Sequence, residues 1–436
     1  MDKSQKLIMI DTINLKKILS EEKDNNIKQI KNAAHEGLEK SLDSYKEEYK
    51  YTPLLRKIEK EFETLTPINE PIQNLDIYSK YVPKNEKYYI LVINGNYQEN
   101  LSNKPKEIQV VKFKDLKDQN KDQFLKTYSK HDDSKKDFFS SSNTINHNEC
   151  LTFYIDKDTT LKEKISIINI IDSPNPTYFR KCFIIKKHSD ISFSEEFINT
   201  STKISFSNSV TELFLDENAK LNYYSVQNMN KNFHYNSINA FQKYNSISNF
   251  HTYSFTGEII RNNLNIKLED KNCYANMYGF YAIKKNSLID NHTSVDHIDE
   301  NSISNEHYKG IIDKGSNGVF NGKIFVRQKA QKTNAFQSNN NILLSDDAKV
   351  NTKPQLEIWA DDVKCSHGCT VGQLDEDALF YLMSRGISKK DSISLLVSAF
   401  SSEITEKIED ENIKEEYEAM ILKELEGLNH EWFSFK

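Results

Sequence analysis

The feature that most constrains the fold is a series of short β-rich segments between about Cys150 and Gly372, separated by polar turns. These segments are TFYID, KISIINII, KCFIIKK, TELFLD, KLNYYSV, NLNIKLED, GVFNGKIFV, NILLS and QLEIW. No helical periodicity lies between them, which excludes a doubly wound α/β sheet, since that fold alternates strands with helices. A run of evenly spaced short strands of this length predicts a β-solenoid, a large sandwich or a propeller.

Both ends of the chain differ from this central part, because their apolar residues recur at helical spacing. We therefore predict an N-terminal helical and mixed region at 1–147, a β core at 148–372 and a C-terminal helical domain at 373–436. A strand-like run, KYYILVINGNY, interrupts the first region and carries the turn signal Asn94-Gly95.

The C-terminal helices have recognisable ends. Asp375 is placed to cap a helix that buries Leu382 and Met383 and ends at Gly386. The next helix opens with a capping box formed by Ser388 and Asp391. Helices this apolar at the end of such a β core are expected to cap that core or to dock a partner.

The pentapeptide Cys-Ser-His-Gly-Cys places Cys365, His367 and Cys369 two residues apart. In an extended strand all three side chains project from one face, roughly 6–7 Å apart along the backbone. Two of them converge on one ion only if the strand bends, which Gly368 would allow, or if a partner surface approaches. The motif is therefore either a strand edge that offers soft ligands, or an inward-facing core strand with a hydrogen-bonded histidine.

A second group of potential metal ligands, Asp290, His292, Asp296 and His297, lies in a strand–turn region. Two histidines five residues apart match no known metal site, so we predict that these side chains satisfy buried polar groups instead.

Composition limits the partners and the compartment. The net charge of −6 argues against a general binder of nucleic acid or of anionic membranes. Five cysteines form no disulfide framework, which favours a reducing compartment, and we interpret Cys150, Cys182 and Cys273 as inert core thiols. No segment approaches about 18 apolar residues and no secretory signal is apparent, so a cytoplasmic protein without a membrane span is predicted.

Nucleotide chemistry is also missing. Gly315, Gly318 and Gly322 precede a strand rather than a helix, and no GxxxxGK motif followed by Ser or Thr occurs. Any ATP hydrolysis would therefore come from a partner.

Several longer motifs carry a family resemblance that covers most of the chain from about Tyr88 onward. The chain resembles the SufB/SufD core family of the SUF iron–sulfur cluster assembly system, and within it the SufD branch. The motifs are KTNAFQSNNNILLS at 332–345, VNTKPQLEIWADDVKCSHG at 350–368 and DEDALFYLMSRGI at 375–387, preceded by DNHTSVDH at 290–297, YKGIIDKG at 308–315 and VFNGKIFV at 319–326.

The resemblance implies a fold, a role and partners. It implies a right-handed parallel β-helix flanked by helical regions, with Asn339–Asn341 suited to its stacked corners; the overall abundance of asparagine is interpreted as compositional drift. The implied role is that of a non-catalytic scaffold subunit, with ATP hydrolysis supplied by a partner. The implied partners are a SufB-like paralogue, the SufC ATPase and, indirectly, a cysteine desulfurase sulfur-transfer system, with a homodimer possible for the isolated chain.

The resemblance also implies site residues. Cys365 and His367 would lie at the interface with SufB and hold iron transiently in a nascent iron–sulfur cluster, whereas the isolated chain would bind no cofactor tightly. Cys369 departs from the family pattern, and we expect it to be passive. Leu396 and Phe400, on the helices at 377–402, are predicted to dock the ATPase.

Three alternatives remain at this stage. One is a SufB-like paralogue acting as the main cluster scaffold, although Gly368 stands where that branch has a glutamate. The others, from different classes, are a zinc-binding protein and a carbohydrate-active β-helix enzyme.

Overall fold

The computed structural model describes residues 18–20, 22, 24–68, 74–116, 121, 124–125, 128 and 137–432, and other parts of the predicted N-terminal region lie outside these residues. The helices are α1 (Asn25–Glu48), α2 (Leu54–Glu61), α3 (Phe138–Asn146), α4 (Glu376–Ser384), α5 (Lys389–Thr405) and α6 (Glu411–Trp432). The first strands are β1 (Tyr88–Ile93), β2 (Asn96–Tyr97), β3 (Ile108–Lys112), β4 (Cys150–Ile155), β5 (Ile165–Ile171), β6 (Thr177–Ile185), β7 (Asp190–Asn199) and β8 (Ser205–Leu215). They are followed by β9 (Lys220–Gln242), β10 (Ile247–Leu268), β11 (Tyr274–Ile283), β12 (Leu288–His297), β13 (Ile303–Ile312), β14 (Asn317–Val326), β15 (Asn334–Leu343), β16 (Lys349–Ile358) and β17 (Lys364–Gly372).

These strands form a parallel coil. Beyond β10, each strand pairs in parallel with the second strand after it, so that β11, β13, β15 and β17 stack in one sheet and β12, β14 and β16 in another. The long strands β9 and β10 turn a corner and contribute to both sheets. Residues that are aligned in successive coils from β9 onward lie 26 to 32 residues apart in the sequence. This confirms the predicted parallel β-helix and excludes the sandwich and the propeller. The right-handed sense of the β-helix stays a prediction.

Alternate residues of each strand fill the inside of the coil. The rings of Phe153 and Phe183, in successive coils, stack with their centroids 4.3 Å apart, and Phe193 meets the second ring edge-on at 4.9 Å. All three side chains are buried. Burial of aromatic surface of this size is a main stabilising contribution to the coil.

One corner of the coil repeats a left-handed backbone position. Its φ lies between 56° and 63° in each coil, at His188, Asn218, Asn245, Asn272, Asn301 and Lys332. Each of these residues donates its N–H to a carbonyl of the next coil, as from Asn218 to Tyr244 at 3.0 Å. Asparagine tolerates this conformation better than most residues. The corner thus gives a structural reason for four of the asparagines, whereas drift stays an interpretation of their overall abundance.

Asparagine also stabilises one outer face of the coil. The side-chain amides of Asn222, Asn249, Asn276 and Asn305 form a ladder of hydrogen bonds of 2.8 to 2.9 Å. The prediction that Asn339–Asn341 lie at a corner was wrong, because all three belong to strand β15.

Helices cover the outer faces of the coil. Apolar residues of α1, α2 and α3, among them Leu38 and Phe139, pack against one sheet. Apolar residues of α5 and α6 pack against the other sheet, with the rings of Tyr417 and Tyr253 4.9 Å apart. The C-terminal helices therefore lie along the side of the coil, and the expectation that they cap its end was wrong.

The helix ends agree with the sequence. Asp375 accepts a hydrogen bond from the N–H of Ala378 at 3.0 Å, and Gly386 follows α4 with φ of +85°. Ser388 caps α5 as predicted, because its hydroxyl accepts from the N–H of Asp391 at 3.1 Å, while the carboxylate of Asp391 accepts from that hydroxyl at 2.6 Å rather than from the backbone N–H of Ser388. The predicted burial along α4 was wrong, because none of its residues is fully buried and Met383 is exposed.

Near the N-terminus, Asn94 and Gly95 form the predicted turn between β1 and β2. Strand β1 pairs with β5, so this earlier segment joins the coil, while the proposed boundaries at 147 and 372 stay predictions. None of the described helices is long and apolar enough to cross a membrane.

Candidate interface site at the open end of the coil

The last coil, formed by β16 and β17, leaves the inside of the β-helix uncovered. Among the described residues, β17 pairs with β15 on one side and with no strand on the other. The backbone groups on its free side point along the coil axis, where the next coil would lie. Val371 and Trp359, at this end, are about half exposed. The coil therefore ends in a surface that another β-sheet could extend.

The three residues of the pentapeptide lie on the inward face of this last coil. Cys365 is aligned with Ala335, His367 with Gln337 and Cys369 with Asn339, and these three partners are buried inside the preceding coil.

His367 and Cys369 are nevertheless exposed, and Cys365 is only partly buried. The strand therefore faces inward, but in the part of the chain that the structure describes no further coil covers it. That the motif offers ligands to a partner stays a prediction.

No bulge interrupts the strand at the motif. Each residue from Lys364 to Gly372 is aligned with a residue of β15, without a shift of register at Gly368. A Cβ atom at Gly368 would meet no heavy atom within 4 Å. Among the described residues, no group of three or more His, Cys, Asp or Glu side chains is arranged to hold a metal ion.

The two thiols of the motif have different surroundings. Partial burial raises the pKa of the Cys365 thiol, although a hydrogen bond with the backbone of Ala335 opposes this. The sulfur of Cys369 lies 2.8 Å from the hydroxyl of Thr352, on the other strand of the last coil. Cys369 thus has a neighbour within the chain, and its predicted passive role stays a prediction.

A buried polar network lies beneath His367. Gln337 Nε2 donates to Glu306 Oε2 at 2.8 Å, and the hydroxyl of Thr293 donates to the other oxygen of Glu306. Burial raises the pKa of Glu306 to about 7, although both hydrogen bonds lower it. Sequence reasoning missed this network, since only the coil length aligns Glu306 with Gln337 and His367.

The two predicted ATPase-docking residues lie on α5. Leu396 and Phe400 are half-buried, and Phe400 packs against the apolar cluster between α5 and the coil. The exposed apolar side chains of this region are instead Phe380, Tyr381 and Met383 on α4 and Leu395 on α5. We call these four residues the α4–α5 patch.

The remaining cysteines are core residues. Burial raises the pKa of Cys150 to about 12 and that of Cys273 to about 11, and it raises the pKa of Cys182 as well. Thiols with such pKa values are protonated and unreactive near neutral pH.

The histidine and aspartate cluster is structural. Asp290 pairs with Arg261 at 2.5 Å and with His292 at 3.0 Å, while Asp296 binds the exposed Arg327 and His297 contacts Ser304. Burial raises the pKa of Asp290, but the charges of Arg261 and His292 and the hydrogen bonds from His292 and Thr52 together hold that pKa well below its usual range.

A cavity of about 280 Å³ separates α1 and α3 from the coil. The guanidinium groups of Arg180 and Arg261 line it. Arg180 pairs with Glu212 at 2.9 Å, and Arg261 pairs with Asp290. Because these charges neutralise each other, we interpret the cavity as a polar junction between helices and coil.

Comparisons with known proteins agree with the motifs. A family model described as the SufBD core domain of SUF system FeS cluster assembly matches residues 169–400, and one for the SufBD protein N-terminal region matches residues 3–167.

Three relatives illustrate the similarity. An iron–sulfur cluster assembly SufBD family protein of Synechocystis is 29% identical over 344 residues, which cover 75% of this chain and 76% of the relative. The iron–sulfur cluster assembly protein SufD of Escherichia coli is 40% identical over 177 residues, covering 41% of this chain and 42% of the relative. Protein ABCI7, chloroplastic, of Arabidopsis thaliana is 30% identical over 245 residues, covering 56% of this chain and 51% of the relative. The match to the last two thus spans about half of their length or less.

Proposed function

The chain belongs to the SufB/SufD family of the SUF iron–sulfur cluster assembly system, and from this we propose that it is a SufD-type scaffold subunit that works in a complex. The open end of its coil docks a SufB-like paralogue, and the α4–α5 region docks a SufC ATPase. The assembled complex builds a cluster as cargo from delivered sulfur and iron, and it works in the cytoplasm.

The observation that carries this proposal is the uncovered last coil with His367 on its inward face. A second β-helix that stacks on β17 would satisfy the free backbone groups of that strand. The same contact would place Cys365 and His367 against the partner's side chains. Thiolate and imidazole both bind iron, so ligands shared between two chains would form a labile site from which a cluster can leave.

Co-purification with a SufB-like paralogue tests the docking. Val371→Arg places a charge on the exposed inward face of β17 and should abolish binding of the paralogue without changing the melting temperature. Tyr244→Arg, at a similarly exposed aromatic residue on a turn, serves as the matched control. Binding of Val371→Arg at wild-type affinity would disprove docking through the open end.

A further inference from the structure

The column of side chains beneath His367 contains an acceptor that has no donor. His367 on β17, Gln337 on β15 and Glu306 on β13 are aligned with one another in successive coils. Neighbouring strands lie about 4.8 Å apart, so aligned side chains on one face are in reach of each other. Gln337 is 3% exposed, and it separates the buried Glu306 from the exposed His367.

The amide of Gln337 is held in one orientation. Its nitrogen donates to Glu306 at 2.8 Å, on the side away from the open end. The amide also fills the space next to Gly322 on β14. A Cβ atom added at Gly322 would lie 1.5 Å from Nε2 of Gln337. Glycine at 322 therefore makes room for this amide, and Glu306 determines which end of the amide faces the interior.

The other end of the amide is unsatisfied. Among the described residues, Oε1 of Gln337 is buried and has no hydrogen-bond partner. A buried acceptor without a donor is destabilising, because its hydration is lost without replacement, so such an atom usually serves a group that is nearby. An imidazole that binds a metal through one nitrogen carries its proton on the other nitrogen, which normally donates to an oxygen acceptor.

We propose that Gln337 is a positioning residue for His367: its Oε1 accepts the ring N–H of His367 and thereby leaves the other ring nitrogen bare and directed out of the open end. Glu306 and Gly322 keep the amide in place for this contact. This inference rests on the proposed role of His367 as a cluster ligand, but it concerns two side chains of the same chain, whose hydrogen bond is not formed in the structure and is the contact that we propose.

The tautomer of His367 is the direct readout. The full-length chain is labelled with ¹⁵N-histidine, and long-range ¹H–¹⁵N spectra are recorded near pH 8, where histidine is largely neutral. The His367 signals are identified by their loss in His367→Ala. We expect a single tautomer in the wild type and, in Gln337→Met, the mixture shown by the exposed His188 as internal reference. A His367 tautomer ratio equal to that of His188 in the wild type would overturn the proposal.

Further variants separate positioning from folding. Gly322→Ala should disturb the single tautomer by displacing the amide. Gln328→Met removes an exposed amide on a turn and should change nothing. If Gln337→Met unfolds the chain, the spectrum of Gly322→Ala tests the proposal instead. A single His367 tautomer, unchanged from the wild type, in the folded Gly322→Ala variant would contradict the proposal.

Cluster yield in the complex with a SufB-like paralogue links the inference to function. Loss of a hydrogen bond behind a metal-binding histidine typically lowers affinity or activity 10- to 100-fold, so we expect about a tenfold loss for Gln337→Met. A changed tautomer with unchanged clusters in both Gln337→Met and His367→Ala would refute the ligand role alone. Normal cluster yield and tautomer in Gln337→Met, with clusters lost in His367→Ala, would refute only the positioning role.

Discussion

The ammonium group of Lys309 lies 4.1 Å from the centroid of the Phe400 ring, and the same group donates to the backbone carbonyl of Phe400 at 3.0 Å. Lys309 is buried and also pairs with Glu403 at 2.6 Å. Helix α5 is therefore attached to β13 through Phe400, so this residue has a structural role whether or not it also contacts an ATPase.

Replacement of Phe400 should therefore destabilise the chain. We expect Phe400→Ala to lower the free energy of unfolding by about 2 kcal/mol, because apolar packing and the cation–π contact are both lost. Leu396→Ala, on the same helix, should cost less than about 1 kcal/mol. Urea unfolding of both variants measures the difference, and equal losses would argue against the anchoring role of Phe400.

The α4–α5 patch should carry the ATPase contact. Phe380 is 73% exposed and Leu395 is 51% exposed, so changing either to glutamate should remove SufC binding without altering the melting temperature. Leu422→Glu, at an exposed leucine of α6, is the matched control. Pull-down with the ATPase provides the measurement, and full retention by the Phe380 and Leu395 variants would exclude this patch.

His367 should matter for assembly and little for stability. Because its side chain is exposed at the open end, His367→Ala should change the free energy of unfolding by less than about 0.5 kcal/mol while cluster formation in the complex collapses. Cys369→Ala should be nearly silent, and Cys365→Ala should do similar or less harm than His367→Ala. Melting temperature and cluster yield are measured on the same samples. A destabilised His367→Ala complex that builds clusters normally per folded molecule would end this assignment.

Glu306 should make stability depend on pH. Burial raises its pKa to about 7, above an ordinary value near 4.5. Between pH 4.5 and 7, Glu306 therefore keeps its proton in the folded chain and has lost it in the unfolded chain. This contribution is complete below about pH 4.5 and disappears as the pH rises to 7, with a size on the order of 3 kcal/mol. Glu306→Gln should flatten that part of the profile. Urea unfolding between pH 5 and 8 compares the two chains, and identical slopes would refute the shift.

The buried pair of Arg261 and Asp290 should contribute far more than an exposed pair on the same strand. Asp290→Asn leaves the guanidinium of Arg261 uncompensated, and we expect a loss of about 3–5 kcal/mol. Asp296→Asn breaks the exposed pair with Arg327 and should cost less than about 1 kcal/mol. Unfolding free energies of both variants test this, and losses of similar size would contradict it.

Much of the local structure followed from the sequence, because it depends on neighbours within a few residues. The alternation of side chains along a strand placed Cys365, His367 and Cys369 on one face, and cap chemistry located the ends of the helices at Gly386 and Ser388. The choice of a β-helix over a sandwich came from the family resemblance rather than from periodicity. The asparagines at 218, 245 and 272 carried a repeat of 27 residues that strand patterns alone did not reveal.

Only the tertiary structure decided what surrounds these residues. The alignment of Glu306, Gln337 and His367 depends on the number of residues in each coil. That number depends on all the strands and turns of the coil, so no single turn motif predicts it. The exposure of His367 depends on where the C-terminal helices pack, and these lie along the side of the coil because aromatic residues such as Tyr253 line that face. The sequence by itself determined which residue types share a face of β17, whereas contacts between distant segments determined that this face stays open.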